Sequence, residues 1–128
     1  MAAGAKMADF GGWEMPIEYS AGGGGVINEH TAIRENVGLF DVSHLGKVEV
    51  RGANAFGLLN QVLTNDLAKI SDGEAQYTML CDEKSGGVVD DLIVYRKSSQ
   101  EFLLVPNAAN TDEVVKRIKA VDQSVEIK

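Results

Sequence analysis

The residues best suited to chemistry lie together in Gly86-Gly87-Val88-Val89-Asp90-Asp91-Leu92-Ile93-Val94-Tyr95. Two adjacent carboxylates sit between a glycine pair, which reads as a turn, and a β-branched run, which reads as a strand. Side chains alternate between the two faces of a strand. One face therefore takes Val88, Asp90, Leu92 and Val94; the other takes Val89, Asp91, Ile93 and Tyr95. The first set is aliphatic apart from Asp90 and reads as core. The second spaces a carboxylate, an aliphatic and a phenol two residues apart. That is the composition of a wall against a small molecule, apolar area with a few polar groups that fix orientation. Asp91 is then the working carboxylate, although a bulge would swap the faces and give the role to Asp90. The bland alternative is a solvated acidic pair at a strand start. Against it, Asp is depleted from strands and this pair lies inside an aliphatic run.

Other candidates are weaker. Ser43-His44 invites a nucleophile and base, but neighbours on a strand point to opposite faces and no third orienting group follows. His30 reads as a packed, hydrogen-bonded histidine on a helix and not as a ligand. Gly22 to Gly25 is a mobile or linking stretch; it is no phosphate loop, because no Gly-Lys-Ser/Thr follows. The single cysteine, Cys81, excludes an internal disulfide and a cysteine-only metal site, and reads as a small buried apolar residue. No metal site is assigned.

The elements that must position Asp91 fit one domain of 128 residues. Residues 1–25 read as an irregular N-terminal segment, with Trp13 and Met15 too apolar to leave in water; residues 26–128 read as the domain proper. Val26, His30, Ile33 and Val37 recur at helical spacing over 26–37, with Gly38 as a stop. Residues 39–51 alternate as strand, with Gly46 marking a bend or a bulge. A helix over 53–63 carries Phe56, Leu59 and Leu63 on one stripe. Strands over 75–81, 88–96 and 101–105 are joined by short turns and form an antiparallel meander. In the first of these, Tyr77, Met79 and Cys81 share a face. Asn110 and Glu113 have the spacing of a capping box for a helix to about Ala120, and 124–127 is a last short strand. The class is α+β, an antiparallel sheet with packed helices.

Composition narrows the function. There are 12 basic and 19 acidic residues, a net charge of −7, which argues against nucleic-acid binding. No apolar run reaches membrane length. The first residues resemble neither a signal peptide nor an Arg-rich leader, which favours a cytoplasmic location, or a mitochondrial one in a eukaryote.

Six stretches carry a family resemblance: Phe10 to Pro16, Glu35 to His44, Leu63-Thr64-Asn65-Asp66, Gln76-Tyr77-Thr78, Gly86 to Tyr95 and Asn107-Ala108-Ala109-Asn110. In this order they resemble the aminomethyltransferases, the T-proteins of the glycine cleavage system, over roughly residues 8–118. The resemblance implies a chain about three times this length, with a duplicated α+β folate-binding region of which this is the first half. It implies transfer of the one-carbon unit of an aminomethyl group, carried on the lipoyl arm of a partner H-protein, to tetrahydrofolate, with release of ammonia.

Residue by residue, the family's critical aspartate falls on Asp91, in agreement with the alternation. A carboxylate beside an amine nucleophile can orient it or help as a general base. Tyr77, Ile93, Tyr95 and Asn107 fall on cavity-lining positions, and Leu45 replaces a methionine. Ser85 is an extra residue in the hairpin, Pro106 replaces an aliphatic, and Gly22 to Gly25 is richer in glycine than the family pattern. Two other readings share the fold: a folate-dependent demethylase or methylglycine-oxidising enzyme domain, and a non-catalytic folate-binding accessory protein. Absence of the second half of the duplicated region implies self-association or a large exposed apolar face.

Overall fold

The computed structural model describes residues 3–128, which divide into one compact unit ending at Val42 and another spanning Ser43–Lys128. In the first unit, β1 (Ala5–Phe10) and β2 (Trp13–Tyr19) form an antiparallel hairpin. Within the segment expected to be irregular, Ala5–Phe10 and Trp13–Tyr19 are thus paired strand. Its turn is Gly11-Gly12, whose φ values of +62° and +86° suit a two-residue hairpin loop and favour glycine. Met15 is buried.

Helix α1 (Val26–Glu35) ends two residues short of the expected last residue, Val37, and buries none of its side chains. His30 is exposed, not packed, because the helix has no covered face within this unit. Glu29 ties the helix to the hairpin. Its Oε1 accepts from Tyr19 N at 2.6 Å and from Gly25 N at 3.1 Å. The alternation over 39–45 makes no strand; Leu39, Phe40 and Val42 are all exposed. A strand needs a hydrogen-bonded partner, and among the described residues no strand pairs with this segment.

The second unit is a five-stranded antiparallel sheet with helices on one face. Its strands are β3 (Val48–Arg51), β4 (Ala75–Cys81), β5 (Val88–Ser98), β6 (Glu101–Val105) and β7 (Glu126–Ile127), in the order β4-β5-β6-β3-β7. Helices α2 (Ala55–Val62) and α3 (Thr111–Val121) cover one face with Leu58, Leu59, Val114 and Ile118. Against them pack Val50, Leu92, Val94, Phe102 and Leu104, all nearly or fully buried. Each such side chain contributes roughly 1.5–3 kcal/mol by leaving water. The α+β class expected from the sequence is the class observed.

The sheet face away from α2 and α3 is open. On β5, Asp90, Leu92 and Val94 are buried while Asp91, Ile93 and Tyr95 are exposed. Val88 departs from its expected core position and is exposed. The register shifts between Leu80 and Cys81, so Val88 lies opposite Cys81 at the last position of the pair. That bulge precedes Asp90 and leaves the faces of Asp90 and Asp91 as the alternation assigned them. Cys81 is half-buried, not fully buried.

The outer edge of β4 is occupied. Leu63 bridges Leu80, and Thr64 exchanges bonds with Met79: Thr64 N donates to Met79 O at 2.9 Å, and Met79 N donates to Thr64 Oγ1 at 3.1 Å. Asn65 Nδ2 donates to Tyr77 O at 2.6 Å.

Candidate functional site

Cross-strand register builds the open face. Tyr77 lies opposite Ile93, Met79 opposite Asp91, and Ile93 and Tyr95 opposite Val105 and Leu103. The result is an apolar and aromatic floor around one carboxylate. Tyr77 and Asp91 are diagonal neighbours, within reach for a long side chain. The Tyr77 hydroxyl donates to Asp91 Oδ2 at 2.6 Å. That hydrogen bond, more than desolvation or the nearby charges of Asp91 and Asp90, raises the Tyr77 phenol above its ordinary value.

Asn107 lies two residues past the end of β6 and stands between the two aspartates. Its side-chain nitrogen donates to Asp90 Oδ1 at 3.1 Å and to Asp91 O at 2.9 Å, with Asp91 Oδ1 at 3.4 Å. All three neighbours are acceptors, which fixes the orientation of the amide. The buried Asp90 also accepts from Asn107 N at 3.1 Å on Oδ2 and from Asn110 Nδ2 at 2.8 Å on Oδ1. Asn110 therefore spends its side chain on Asp90 and does not cap α3. Glu113, expected as its capping partner, pairs with Lys116 at 2.9 Å and Arg117 at 2.8 Å.

Leu45 is half-buried in the turn at 43–45. Gly46 N donates to Pro106 O at 2.9 Å and so ties this segment to the exit of β6, one residue before Asn107. A side chain at 46 would collide with Thr111 and Pro106, so the approach requires glycine. The structure thus brings Tyr77, Asp91, Ile93 and Tyr95 to one face and Asn107 to its rim, and ties the turn holding Leu45 to the chain just before that rim.

The sequence reading gave no site role to Met79, Leu103 or Val105, which complete the floor, or to Asn110. Alternation on β4 and β6 carries the signal for the first three. At the far end of the same face the floor becomes ionic. Arg51 pairs with Glu49 at 2.8 Å and Glu101 at 3.1 Å, and Lys97 with Glu101 at 2.6 Å. These partners hold the Lys97 ammonium above its ordinary value and the Glu101 carboxyl below it.

The hairpin loop before β5 is also tightly bonded. Asp82 Oδ1 accepts from Ser85 N and Ser85 Oγ, both at 2.9 Å, and Arg117 Nη1 donates to Asp82 Oδ2 at 3.0 Å. These donors depress the Asp82 carboxyl far below the usual range.

Two cavities lie elsewhere. One, of about 580 Å³, is walled by β2, the Gly22 to Gly24 turn, α1 and residues 37–41. The other, of about 610 Å³, lies between the ends of α2 and β4 and the last turns of α3. Asp91 lines neither; its surroundings are an open wall. Among the described residues, no group of three His, Cys, Asp or Glu side chains could hold a metal ion, and no helix is long and apolar enough to cross a membrane.

Comparison with known proteins agrees with this architecture. The chain is 62% identical over 117 residues to an aminomethyltransferase of Frankia alni, covering 91% of this chain and 31% of that protein. It is 52% identical over 125 residues to an aminomethyltransferase of Desulfitobacterium hafniense, covering 98% of this chain and 33% of that protein. The chain thus spans about a third of the length of these curated relatives. The crystal structure of glycine cleavage system aminomethyltransferase T from Bartonella henselae superposes with a TM-score of 0.84 at 35% identity, over 98% of this chain and 34% of that one. The model of the GCVT N-terminal domain matches residues 1–128, and the chain belongs to that family.

Proposed function

We propose that this chain forms one wall of the tetrahydrofolate site of a glycine cleavage aminomethyltransferase. The whole enzyme moves the methylene unit of an aminomethyl group from the lipoyl arm of an H-type carrier protein to tetrahydrofolate. Methylene-tetrahydrofolate, ammonia and the dihydrolipoyl carrier are the products, and the reaction belongs in the cytoplasm of a bacterial cell. The carrying observation is one carboxylate, Asp91, set among apolar and aromatic side chains at one end of the open face, with Tyr77 and Asn107 bonded to it.

A pterin is flat, with polar edges. The floor of Ile93, Tyr95 and Met79 suits its ring faces, and Asp91, Tyr77 and Asn107 suit its edge. Asp91 would orient a folate nitrogen for attack on the one-carbon unit and accept or return the proton that moves as ammonia leaves. Leu45 adds apolar contact at the rim. Half a wall does not bury a ligand, so the chain alone is inactive.

The test is a graft in which this chain replaces the matching third of the Frankia alni aminomethyltransferase. Methylene-tetrahydrofolate formation is assayed with aminomethylated carrier protein. Turnover by the graft, and none by the 128-residue chain alone, supports the proposal. A folded graft that neither binds tetrahydrofolate nor turns over contradicts it.

A further inference from the structure

We infer that Asp90, with Asn110, is the positioning group of the site: it clamps the Asn107 amide, and that amide sets the orientation of Asp91. The catalytic consequence rests on the function proposed above; the positional claim rests on geometry alone.

The geometry is a relay in three steps. Asp90 is only 2% exposed, at the buried face of the strand. Its two oxygens accept three N–H bonds: Oδ2 from Asn107 N, and Oδ1 from the Asn107 and Asn110 side-chain amides. Asn107 is therefore held at its backbone and its side chain by one carboxylate. One amide hydrogen of Asn107 serves Asp90. The other is directed at Asp91, to its carbonyl oxygen at 2.9 Å and its Oδ1 at 3.4 Å. On the far side, Tyr77 donates to Asp91 Oδ2. Asp91 is exposed and would otherwise turn freely about its side-chain bonds. With one oxygen facing Tyr77 and the other facing Asn107, it keeps one orientation.

An ordinary structural carboxylate would stabilise its own loop and nothing more. Here the same amide that satisfies Asp90 touches Asp91, so the two carboxylates are coupled through one rigid group. Asp90→Asn disrupts this in either amide orientation. If its NH₂ replaces Oδ2, it faces the Asn107 N–H; if it replaces Oδ1, it faces two NH₂ groups. Donor then meets donor, and Asn107 must move.

The test reads orientation directly in this chain. Three-bond couplings to the Asp91 carboxyl carbon report its χ1 rotamer by NMR. The wild type is expected to show one rotamer, and Asp90→Asn and Asn107→Ala a rotamer average. Asn110→Ala keeps both charges and serves if Asp90→Asn does not fold; it is expected to give partial averaging. In the Asn107→Ala background, Asp90→Asn should add nothing, because the route runs through Asn107.

In the grafted enzyme, Asp90→Asn is expected to lower kcat on the order of 10- to 100-fold with the KM for tetrahydrofolate nearly unchanged. A folded Asp90→Asn chain whose Asp91 keeps a single rotamer overturns the inference, whatever the enzyme does. An averaged Asp91 with unchanged kcat upholds the positional claim and instead removes Asp91 from the proposed reaction.

Discussion

Strand β5 presents two carboxylates one residue apart, in opposite surroundings. Asp90 points into the layer under α2 and α3, with Thr78 as the other buried polar side chain on that face. Both are satisfied: Asp90 by the Asn107 and Asn110 groups, Thr78 Oγ1 by Asn65 N at 3.1 Å. Asp91 points the other way, among Tyr77, Met79, Ile93 and Tyr95, all at least a third exposed. The covered face spends its polar groups on one another. The open face leaves part of a carboxylate available beside apolar surface. One strand thus carries a buried, bonded carboxylate and an exposed one, and two-residue alternation is what separates them.

The largest expected effect tests the open face. In the grafted enzyme, Asp91→Asn should lower kcat by about 10² to 10⁴, the scale of a lost general base, with thermal stability nearly unchanged. A loss of stability comparable to that of core variants would place Asp91 among the anchors and erase the contrast.

Second, the covered face should respond in stability. Phe102 is fully buried and packs on Phe56 with ring centroids 6.4 Å apart. Phe102→Ala should cost about 3–5 kcal/mol in denaturant unfolding, whereas Ile93→Ala on the open face should cost well under half of that. Equal costs would mean that the open face is covered in solution.

Third, Asp90→Asn should destabilise the chain by about 1–3 kcal/mol, the cost of leaving a buried donor without an acceptor. Asp91→Asn should cost less than about 0.5 kcal/mol. A reversal of that order in urea unfolding would show the faces to be assigned wrongly.

The smallest effect concerns a carboxylate on neither face. Asp82 is held below its ordinary value by Ser85 first and then by Arg117. A depressed carboxyl contributes stability that is complete above its unfolded value and is lost as pH falls through the folded value. Asp82→Ala should therefore flatten the acid limb of the melting temperature between neutral pH and about pH 2. The change should be slight, because exposed pairs are screened. Tyr77 gives the alkaline counterpart. Its phenol is raised, so its bond to Asp91 contributes below the ordinary phenol value and is lost as pH rises through the folded one. Tyr77→Phe should remove that alkaline decline.

Much of this contrast was legible in the sequence, and the misses have physical causes. The faces of Asp90 and Asp91 followed from period-two alternation between a turn and a β-branched run. The β1–β2 hairpin did not follow, because Ala5 to Phe10 lacks β-branched residues and Pro16 and the glycines look like punctuation. Only the positive φ at Gly11 and Gly12 shows those glycines to be the turn itself. Residues 39–45 show the converse error: alternation without a partner strand gives no strand. Asn110 illustrates competition between local and distant partners. Its spacing to Glu113 is a capping signature, yet its amide goes to Asp90, twenty residues away in sequence. Local patterns carry no information about such a partner, and for the same reason the coupling of Asp90 to Asp91 is visible only in three dimensions.

The segment Leu63 to Asn65 has a bearing on how this protein behaves at high concentration. By occupying the outer backbone groups of β4 it removes the template on which a second copy could add a strand. Addition of a strand at this edge is then disfavoured, and the exposed side chains of Tyr77, Ile93 and Tyr95 remain as apolar surface for contact between copies. Thr64→Pro, which deletes the donor to Met79, should expose this edge and raise the rate of fibril growth above that of the unsubstituted chain, read by thioflavin T fluorescence.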